Sequence, residues 1–188
     1  MSPLTLHLMR HGAPKTPGLL LGHTDMPPDL VAMQMCIERS RTLAFECLFS
    51  SDLTRARTPA ALIAADRQVA HQIDARWREL HFGTWEGADP ATLPVDETRR
   101  FWSSPDDSPP PGGETWSALC KRVSSALGDI RRPTLIIAHA GAIRGALTVL
   151  CGFSYQQAWA IDLPYAAVVT LRLWPGGSTG AQITGLVT

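Results

Sequence analysis

The chain has 188 residues, of which 45% are hydrophobic and 18% charged, as is typical of one folded domain and not of a disordered protein. Its 17 basic and 17 acidic side chains cancel, so net charge gives no reason to expect a nucleic-acid or membrane partner, and any cationic site must be local. Four scattered cysteines lack zinc-binding spacing and favour free thiols in a reducing compartment. Without a signal-peptide pattern or an apolar run of roughly 18 residues, we expect a cytoplasmic protein with one domain over residues 1–188.

The first half of the chain predicts strands that alternate with helices. Its elements are, in order, a strand at Leu4–Met9, a Pro- and Gly-rich loop at 13–29, a helix from Asp29 to about Leu43, a strand at Cys47–Phe49, a helix to about Ala65 and a weak strand at Val69–Ile73. Pro59 interrupts the second helix. Either Thr58 caps a helix that starts at Pro59, or a short first turn is kinked there.

The second half continues the alternation. Its elements are a helix at Asp89–Trp102, a surface loop at Ser103–Gly113, an amphipathic helix from Trp116 to about Ile130, a strand at Thr134–Ala138, a helix to about Cys151, and strands at Ala166–Trp174 and Gln182–Leu186 that are split by a Pro-Gly-Gly turn at 175–177. Strands that alternate with helices predict an α/β fold, a three-layer α/β/α sandwich with a mainly parallel central sheet.

Two of the predicted strands end in the same way. Leu4–Met9 runs into Arg10, His11 and Gly12, and the strand at 134–138 runs into His139, Ala140 and Gly141. Each histidine alone fits a structural role at a strand end. In an open parallel sheet, however, ligands bind beyond the carboxyl ends of the strands, so both histidines meet in one crevice if the strands are neighbours.

This crevice has the features of a phosphate pocket. Arg10 follows the first strand and Arg55 follows the second, and a guanidinium binds two phosphate oxygens at once. The helix that begins near Gly141 adds free amides and a dipole that favour an anion. We therefore expect a small phosphorylated metabolite as the partner, held by these arginines.

With these residues in place, the chain resembles the histidine phosphatase superfamily, the phosphoglycerate-mutase-like enzymes. The matching elements lie in the family's order and cover residue 4 to about 150. They are RHG at 10–12, S-x-L-x-R-A at 51–56, E-x-x-x-G-x-W-E-G at 79–87 and H-x-G-x-I-R at 139–144. Within the superfamily the chain is most similar to small phosphatases of the α-ribazole phosphatase type, whose Y-G-x-T-D-x-P loop is matched by LGHTDMP at 21–27.

The resemblance implies a phosphoglycerate-mutase-like fold and a phosphomonoester hydrolase of the histidine acid phosphatase type. His11 would attack phosphorus and form a phosphohistidine, Glu79 would act as acid and then base, and His139 would stabilise charge on the transferred group. Arg10 and Arg55 would hold the phosphate. The family needs neither cofactor nor metal for this chemistry.

Further residues stand at substrate-binding positions by the same resemblance. His23 lies on the loop that precedes the first helix, where glutamine is common, and Ala140 stands where glycine is common. Leu21 replaces a usual tyrosine. These differences leave the identity of the leaving group open.

Other polar and aromatic residues have simpler explanations. Glu86 and His81 flank Glu79 and fit structural roles, while Glu114 and Thr115 fit capping of the helix that follows them. Arg144 is either a supporting residue of the site or an exposed helix residue. The tryptophans at 116, 159 and 174 fit the core.

Three functions remain open. The first is a phosphomonoesterase, with α-ribazole 5′-phosphate in cobalamin assembly as one candidate substrate. The second is a cofactor-dependent phosphoglycerate mutase, which is less favoured because only 59 residues separate Glu79 from His139, where mutases carry a longer insertion. The third is a non-catalytic phospho-ligand binding protein, which would not need Glu79. The oligomeric state is open, with a homodimer as one possibility.

Overall fold

A mixed six-stranded sheet lies at the centre of the described structure, a computed structural model that describes residues 3–174 and 180–188. The strands are β1 (Leu4–Arg10), β2 (Cys47–Ser50), β3 (Ala70–Ile73), β4 (Thr134–Ala138), β5 (Val168–Leu173) and β6 (Ala181–Val187). Their order across the sheet is β3-β2-β4-β1-β5-β6. The first four strands in this order pair in parallel, and β5 is antiparallel to both of its neighbours, which confirms a mainly parallel sheet.

Helices cover both faces of this sheet. They are α1 (Leu30–Ser40), α2 (Thr54–Arg67), α3 (Val95–Ser103), α4 (Trp116–Leu127), α5 (Ala140–Cys151) and α6 (Tyr155–Trp159), with short 3-10 turns at Ala75–Trp77, Gly83–Trp85 and Pro90–Thr92. Because side chains alternate along a strand, Met9 of β1 packs in the core with α1 and α2, while Leu6 and Leu8 pack in the core with α4 and α5. The predicted three-layer sandwich is confirmed.

The register of β1 and β4 brings two strand ends together. The strands are direct neighbours, with Arg10 opposite Ala138 at the last pair, and the His11 amide donates to the Ala138 carbonyl at 2.9 Å. His11 and His139 therefore leave the sheet at the same edge and at the same level, as the sequence predicts.

Several elements begin or end at residues other than those predicted. Of the two alternatives for the second helix, the start at Pro59 is wrong: α2 begins at Thr54, so a first turn precedes Pro59, which lies within the helix and lacks only the one backbone bond that it cannot donate. Helix α1 ends at Ser40, before Leu43. Strand β5 starts at Val168 because Ala166 has a positive φ of 62°, which a strand residue does not adopt.

The region predicted as one helix at 89–102 consists of two elements. Asp89 caps the 3-10 turn at Pro90–Thr92, and α3 begins only at Val95, after Pro94. Proline disfavours helical geometry in the residue before it, so Leu93 is extended and the two elements are separated. The short helix α6 has no counterpart among the sequence predictions. The Pro-Gly-Gly turn at 175–177 lies outside the described residues.

None of the helices in the described ranges has the length and apolarity that crossing a bilayer requires.

Candidate active site

Two histidines meet at the ends of β1 and β4. The ring centroids of His11 and His139 are 4.9 Å apart, and both side chains are buried. Nδ1 of His11 lies 2.5 Å from the Gly12 carbonyl oxygen, so this nitrogen carries the proton and donates it. The lone pair of His11 is consequently on Nε2, the nitrogen that a nucleophile would use.

Burial and nearby cations keep both imidazoles neutral. Burial lowers the pKa of His11 well below its ordinary value, and the positive charges of Arg55 and Arg10 lower it further, although the bond to Gly12 opposes this shift. The pKa of His139 is lowered in the same way, first by burial and then by Arg55. The side chain of His139 is fully buried, and neither of its ring nitrogens has a hydrogen-bond partner among the described residues.

Arg10 lies beside His11 and is held from two directions. Its Nη1 donates to the Leu163 carbonyl at 2.6 Å, and its guanidinium lies 4.0 Å from the ring centroid of Tyr165. A guanidinium over an aromatic face is fixed in orientation while it keeps its charge. Arg10 is therefore a cation that is held in a fixed orientation beside His11.

Arg55 is almost fully buried and binds the loop before α1. Its Nη2 donates to the carbonyls of Leu21 and Gly22 at 2.6 and 2.8 Å, and its Nη1 donates to the Thr24 carbonyl at 2.8 Å. One N–H of Nη1 and the N–H of Nε remain for a ligand. The predicted bidentate binding of phosphate by Arg55 is thus not preformed, because three of its five N–H groups already donate to this loop.

Glu79 reaches the same site from the segment after the first 3-10 turn. Its Oε1 accepts from the Leu80 amide at 2.9 Å, and its Oε2 accepts from the Gly141 amide at 3.0 Å in the first turn of α5. A Cβ atom at Gly141 would overlap with Oε1, which explains why glycine stands there. The carboxylate is therefore oriented by the helix that follows His139.

Arg122 supports this segment from α4, a role that the sequence analysis missed. It donates to the carbonyls of Arg76, Arg78 and Glu79 at 2.7 to 2.9 Å and pairs with Glu114 at 2.7 Å. Glu114 is thus an ion-pair partner, and the prediction that it caps α4 is wrong. Thr115 does cap α4, as predicted. No local sequence pattern links residues 114 and 122 to residue 79.

Two cavities adjoin at Glu79 and Phe82, which line both of them. The first, the His11 cavity, has a free volume of about 150 Å³ and is lined by Arg10, His11, Pro14, Leu19, Leu20, Leu21, Arg55, Glu79, Phe82 and Tyr165. The second, the aromatic cavity, has a free volume of about 130 Å³ and is lined by Glu79, Leu80, Phe82, Phe101, Trp102, Pro105, Trp116, Ala140, Gly141, Arg144, Tyr155 and Trp159. Cationic and titratable groups are thus concentrated in the first, and apolar rings in the second.

The remaining predicted residues are placed as follows. Ala140 lines the aromatic cavity, whereas His23 lines neither cavity and packs against His81 with ring centroids 4.7 Å apart. Glu86 accepts the amides of His23, Thr24 and Phe82, which agrees with a structural role. Within residues 3–174 and 180–188, no three His, Cys, Asp or Glu side chains are grouped so that they could hold a metal ion.

The sequence analysis also missed residues of both cavities. Arg144, left undecided, lines this cavity, and Trp159, assigned to the core, is 38% exposed at its wall. Tyr165, which faces His11 with ring centroids 5.7 Å apart, was not singled out at all. Only the H-x-G-x-I-R spacing, which ends at Arg144, gave a signal for any of them.

Solved structures share this fold over nearly their whole length. An α-ribazole phosphatase from Shigella flexneri superposes with a TM-score of 0.85 at 22% identity, covering 98% of this chain and 96% of that one. A mycobacterial glucosyl-3-phosphoglycerate phosphatase gives a TM-score of 0.85 at 20% identity, covering 97% of both chains. At these identities the likeness establishes the fold.

Sequence comparison establishes the family. A probable phosphoglycerate mutase of Citrobacter koseri is 31% identical over 84% of this chain and 78% of its own length. An adenosylcobalamin/α-ribazole phosphatase of Escherichia coli is 25% identical over 83% of both proteins. The sequence profile of the histidine phosphatase superfamily (branch 1) matches residues 6–184. The chain therefore belongs to the histidine phosphatase superfamily, branch 1.

Proposed function

We propose that this protein is a phosphomonoester hydrolase that acts through a phosphohistidine at His11. The observation that carries the proposal is the orientation of His11. Its Nδ1 is bound to the Gly12 carbonyl, so the lone pair on Nε2 is available beside Arg10 and Arg55, in a cavity that also contains the Glu79 carboxylate. A nucleophile, two cations and an acid/base group are the set that phosphoryl transfer requires.

In the first step, Nε2 of His11 attacks phosphorus in line with the ester bond. A P–N bond forms while the bond between phosphorus and the ester oxygen breaks, and protonated Glu79 gives its proton to the leaving alkoxide. We expect Arg10, Arg55 and the N–H of His139, whose ring centroid lies 4.9 Å from that of His11, to stabilise the charge on the three non-bridging oxygens.

In the second step, water replaces the alcohol. The Glu79 carboxylate takes a proton from this water, whose oxygen attacks phosphorus, and the P–N bond breaks to return neutral His11 and inorganic phosphate. The neutral state of both histidines supports this cycle because an imidazolium at position 11 would have no lone pair to attack with.

For the substrate we propose α-ribazole 5′-phosphate as the first compound to assay. The support is the similarity to the Escherichia coli adenosylcobalamin/α-ribazole phosphatase over 83% of both proteins. A second candidate function, phosphoglycerate mutase, is supported by the 31% identity to the Citrobacter koseri protein. A mutase must return the phosphoryl group to a second hydroxyl, so conversion of 3- to 2-phosphoglycerate without phosphate release would identify it.

The test is direct trapping of the phosphoenzyme. Wild-type protein and the His11→Ala variant are mixed with a radiolabelled aryl phosphate and quenched in alkali, which preserves a P–N bond. We expect label on the wild-type chain and none on His11→Ala, whose phosphate release also falls to background. His71→Ala serves as a matched control, because His71 binds Ser50 through a 2.8 Å contact and lines neither cavity. Label on the His11→Ala chain, or full hydrolysis by it, would contradict the mechanism.

A further inference from the structure

The aromatic cavity is built by helices and not by strand ends. Helix α3 supplies Phe101 and Trp102, α4 supplies Trp116, and α6 supplies Tyr155 and Trp159. Trp102 and Trp159 contact each other with ring centroids 5.3 Å apart, although they are 40% and 38% exposed. Exposed large rings that border a cavity mark a surface that binds another molecule.

The position of this cavity makes it the place for a leaving group. Glu79 lines both cavities, and the acid that protonates a leaving oxygen must lie within hydrogen-bond reach of it. With phosphorus at His11 and the ester oxygen at Glu79, the rest of the alcohol extends past Glu79. Phe82, the other shared residue, flanks the same passage.

The size and walls of the cavity favour a planar ring. Its free volume of about 130 Å³ is close to the roughly 150 Å³ of an engineered apolar cavity that binds benzene. The rings of Trp116 and Tyr155 meet nearly edge to face, with centroids 5.2 Å apart and planes at 75°. Aromatic rings in such arrangements leave faces and edges that attract a further aromatic ring more strongly than a saturated ring of equal size.

The wall also carries polar groups without partners. Among the described residues, Arg144 donates only to the Ile161 carbonyl, and none of their carboxylates lies within 4.0 Å of its guanidinium nitrogens. Its guanidinium is 4.3 Å from the ring centroid of Trp159, which fixes it at the wall. The Tyr155 hydroxyl has no partner either, and because burial raises the pKa of Tyr155 to about 12 it keeps its proton as a donor.

We propose that the aromatic cavity binds the leaving group, and that this group contains a planar aromatic ring with a hydrogen-bond acceptor directed toward Arg144. The proposal rests on the proposed function, since it names the alcohol that phosphoryl transfer to His11 would release. It makes Trp102, Trp159 and Arg144 the residues that determine specificity, and it disfavours small aliphatic phosphates such as phosphoglycerate.

Binding to the His11→Ala variant tests the cavity separately from catalysis. Three esters of similar alcohols are compared by titration calorimetry: benzyl phosphate, cyclohexylmethyl phosphate and 4-carboxybenzyl phosphate. We expect benzyl phosphate to bind about fivefold more tightly than its more hydrophobic saturated analogue, because only the flat ring stacks. We expect the carboxylate to add about tenfold through a charge-assisted bond to Arg144.

Variants in this background assign the preferences to their residues. Trp102→Leu should reduce the ratio of the affinities for benzyl and cyclohexylmethyl phosphate to about one. Trp174→Leu, the same substitution at a residue outside both cavities, should leave this ratio unchanged. Arg144→Met should remove the gain from the carboxylate, and Arg144→Lys should restore part of it.

The outcomes separate the two proposals. Equal affinity for the flat and the saturated ester, no binding of either, or a preference that survives Trp102→Leu overturns the aromatic subsite even if wild-type protein hydrolyses all three. The expected preferences in a protein that releases no phosphate from any ester support the subsite and overturn the proposed function.

Discussion

The His11 cavity and the aromatic cavity share Glu79 but are built on different principles. The first takes Arg10 and His11 from the end of β1, whose pairing with the neighbouring strand β4 fixes their positions. The second takes five of its six rings from three helices, α3, α4 and α6, which meet only through tertiary packing. In the proposed mechanism, the end of the sheet supplies the nucleophile and the helices contact the leaving group, while Glu79 belongs to both cavities.

The largest effect should come from the nucleophile. His11→Ala should lower hydrolysis of every phosphate ester by about 10⁴-fold or more, regardless of the leaving group, because the attacking lone pair is lost. Steady-state kinetics on several esters checks this, with a thermal melt to show that the fold persists. A loss of activity that varied with the leaving group would contradict the assignment of phosphoryl transfer to the His11 cavity and of leaving-group binding to the aromatic cavity.

Glu79 should behave differently because it belongs to both cavities. Glu79→Gln should slow alkyl phosphates by about 10²- to 10⁴-fold, since their alkoxides need a proton. It should slow p-nitrophenyl phosphate far less in the first step, because nitrophenolate leaves without one. A plot of rate against leaving-group pKa measures this, and a steeper slope in the variant is expected. Equal losses for all esters would contradict the acid role.

Gly141 tests how closely the two cavities are joined. A Cβ in Gly141→Ala would overlap with Oε1 of Glu79 and push the carboxylate away from the α5 amide. A displacement of about 1 Å costs on the order of 10²-fold in rate. We expect a fall of that size in kcat with the phosphoenzyme still formed from activated esters. Gly145→Ala, which would press on Leu119 in the helical layer, serves as a control that should lower stability more than kcat.

The smallest effect should be on stability at low pH. Burial lowers the pKa values of His11 and His139 below the ordinary 6.5, so below pH 6.5 the unfolded chain binds more protons than the folded one. Stability should therefore be full above pH 6.5 and fall as the pH drops below it. Melting temperatures from pH 8 to 5 measure this, and the double variant His11→Ala, His139→Ala should show a shallower decline. An unchanged slope would show that these imidazoles titrate alike in both states.

The positions of Arg10, His11 and His139 could be predicted from the sequence, since all three follow apolar runs whose strand character is local. Glu79 came from the family resemblance. What local patterns could not give is the set of contacts across distant segments. The bonds of Arg55 to the loop at 21–24, the Arg122–Glu114 pair and the meeting of Trp102 with Trp159 all depend on how helices pack, and no spacing in the sequence encodes that.

The bonds of Arg55 have a consequence for substitution. One flat guanidinium holds the carbonyls of Leu21, Gly22 and Thr24 from two separate nitrogens while its charge faces His11. Lysine has the same charge but concentrates its donors on one nitrogen, so it cannot span these carbonyls. Arg55→Lys would therefore be a conservative change in charge alone, and it would release the loop that forms the wall of the His11 cavity.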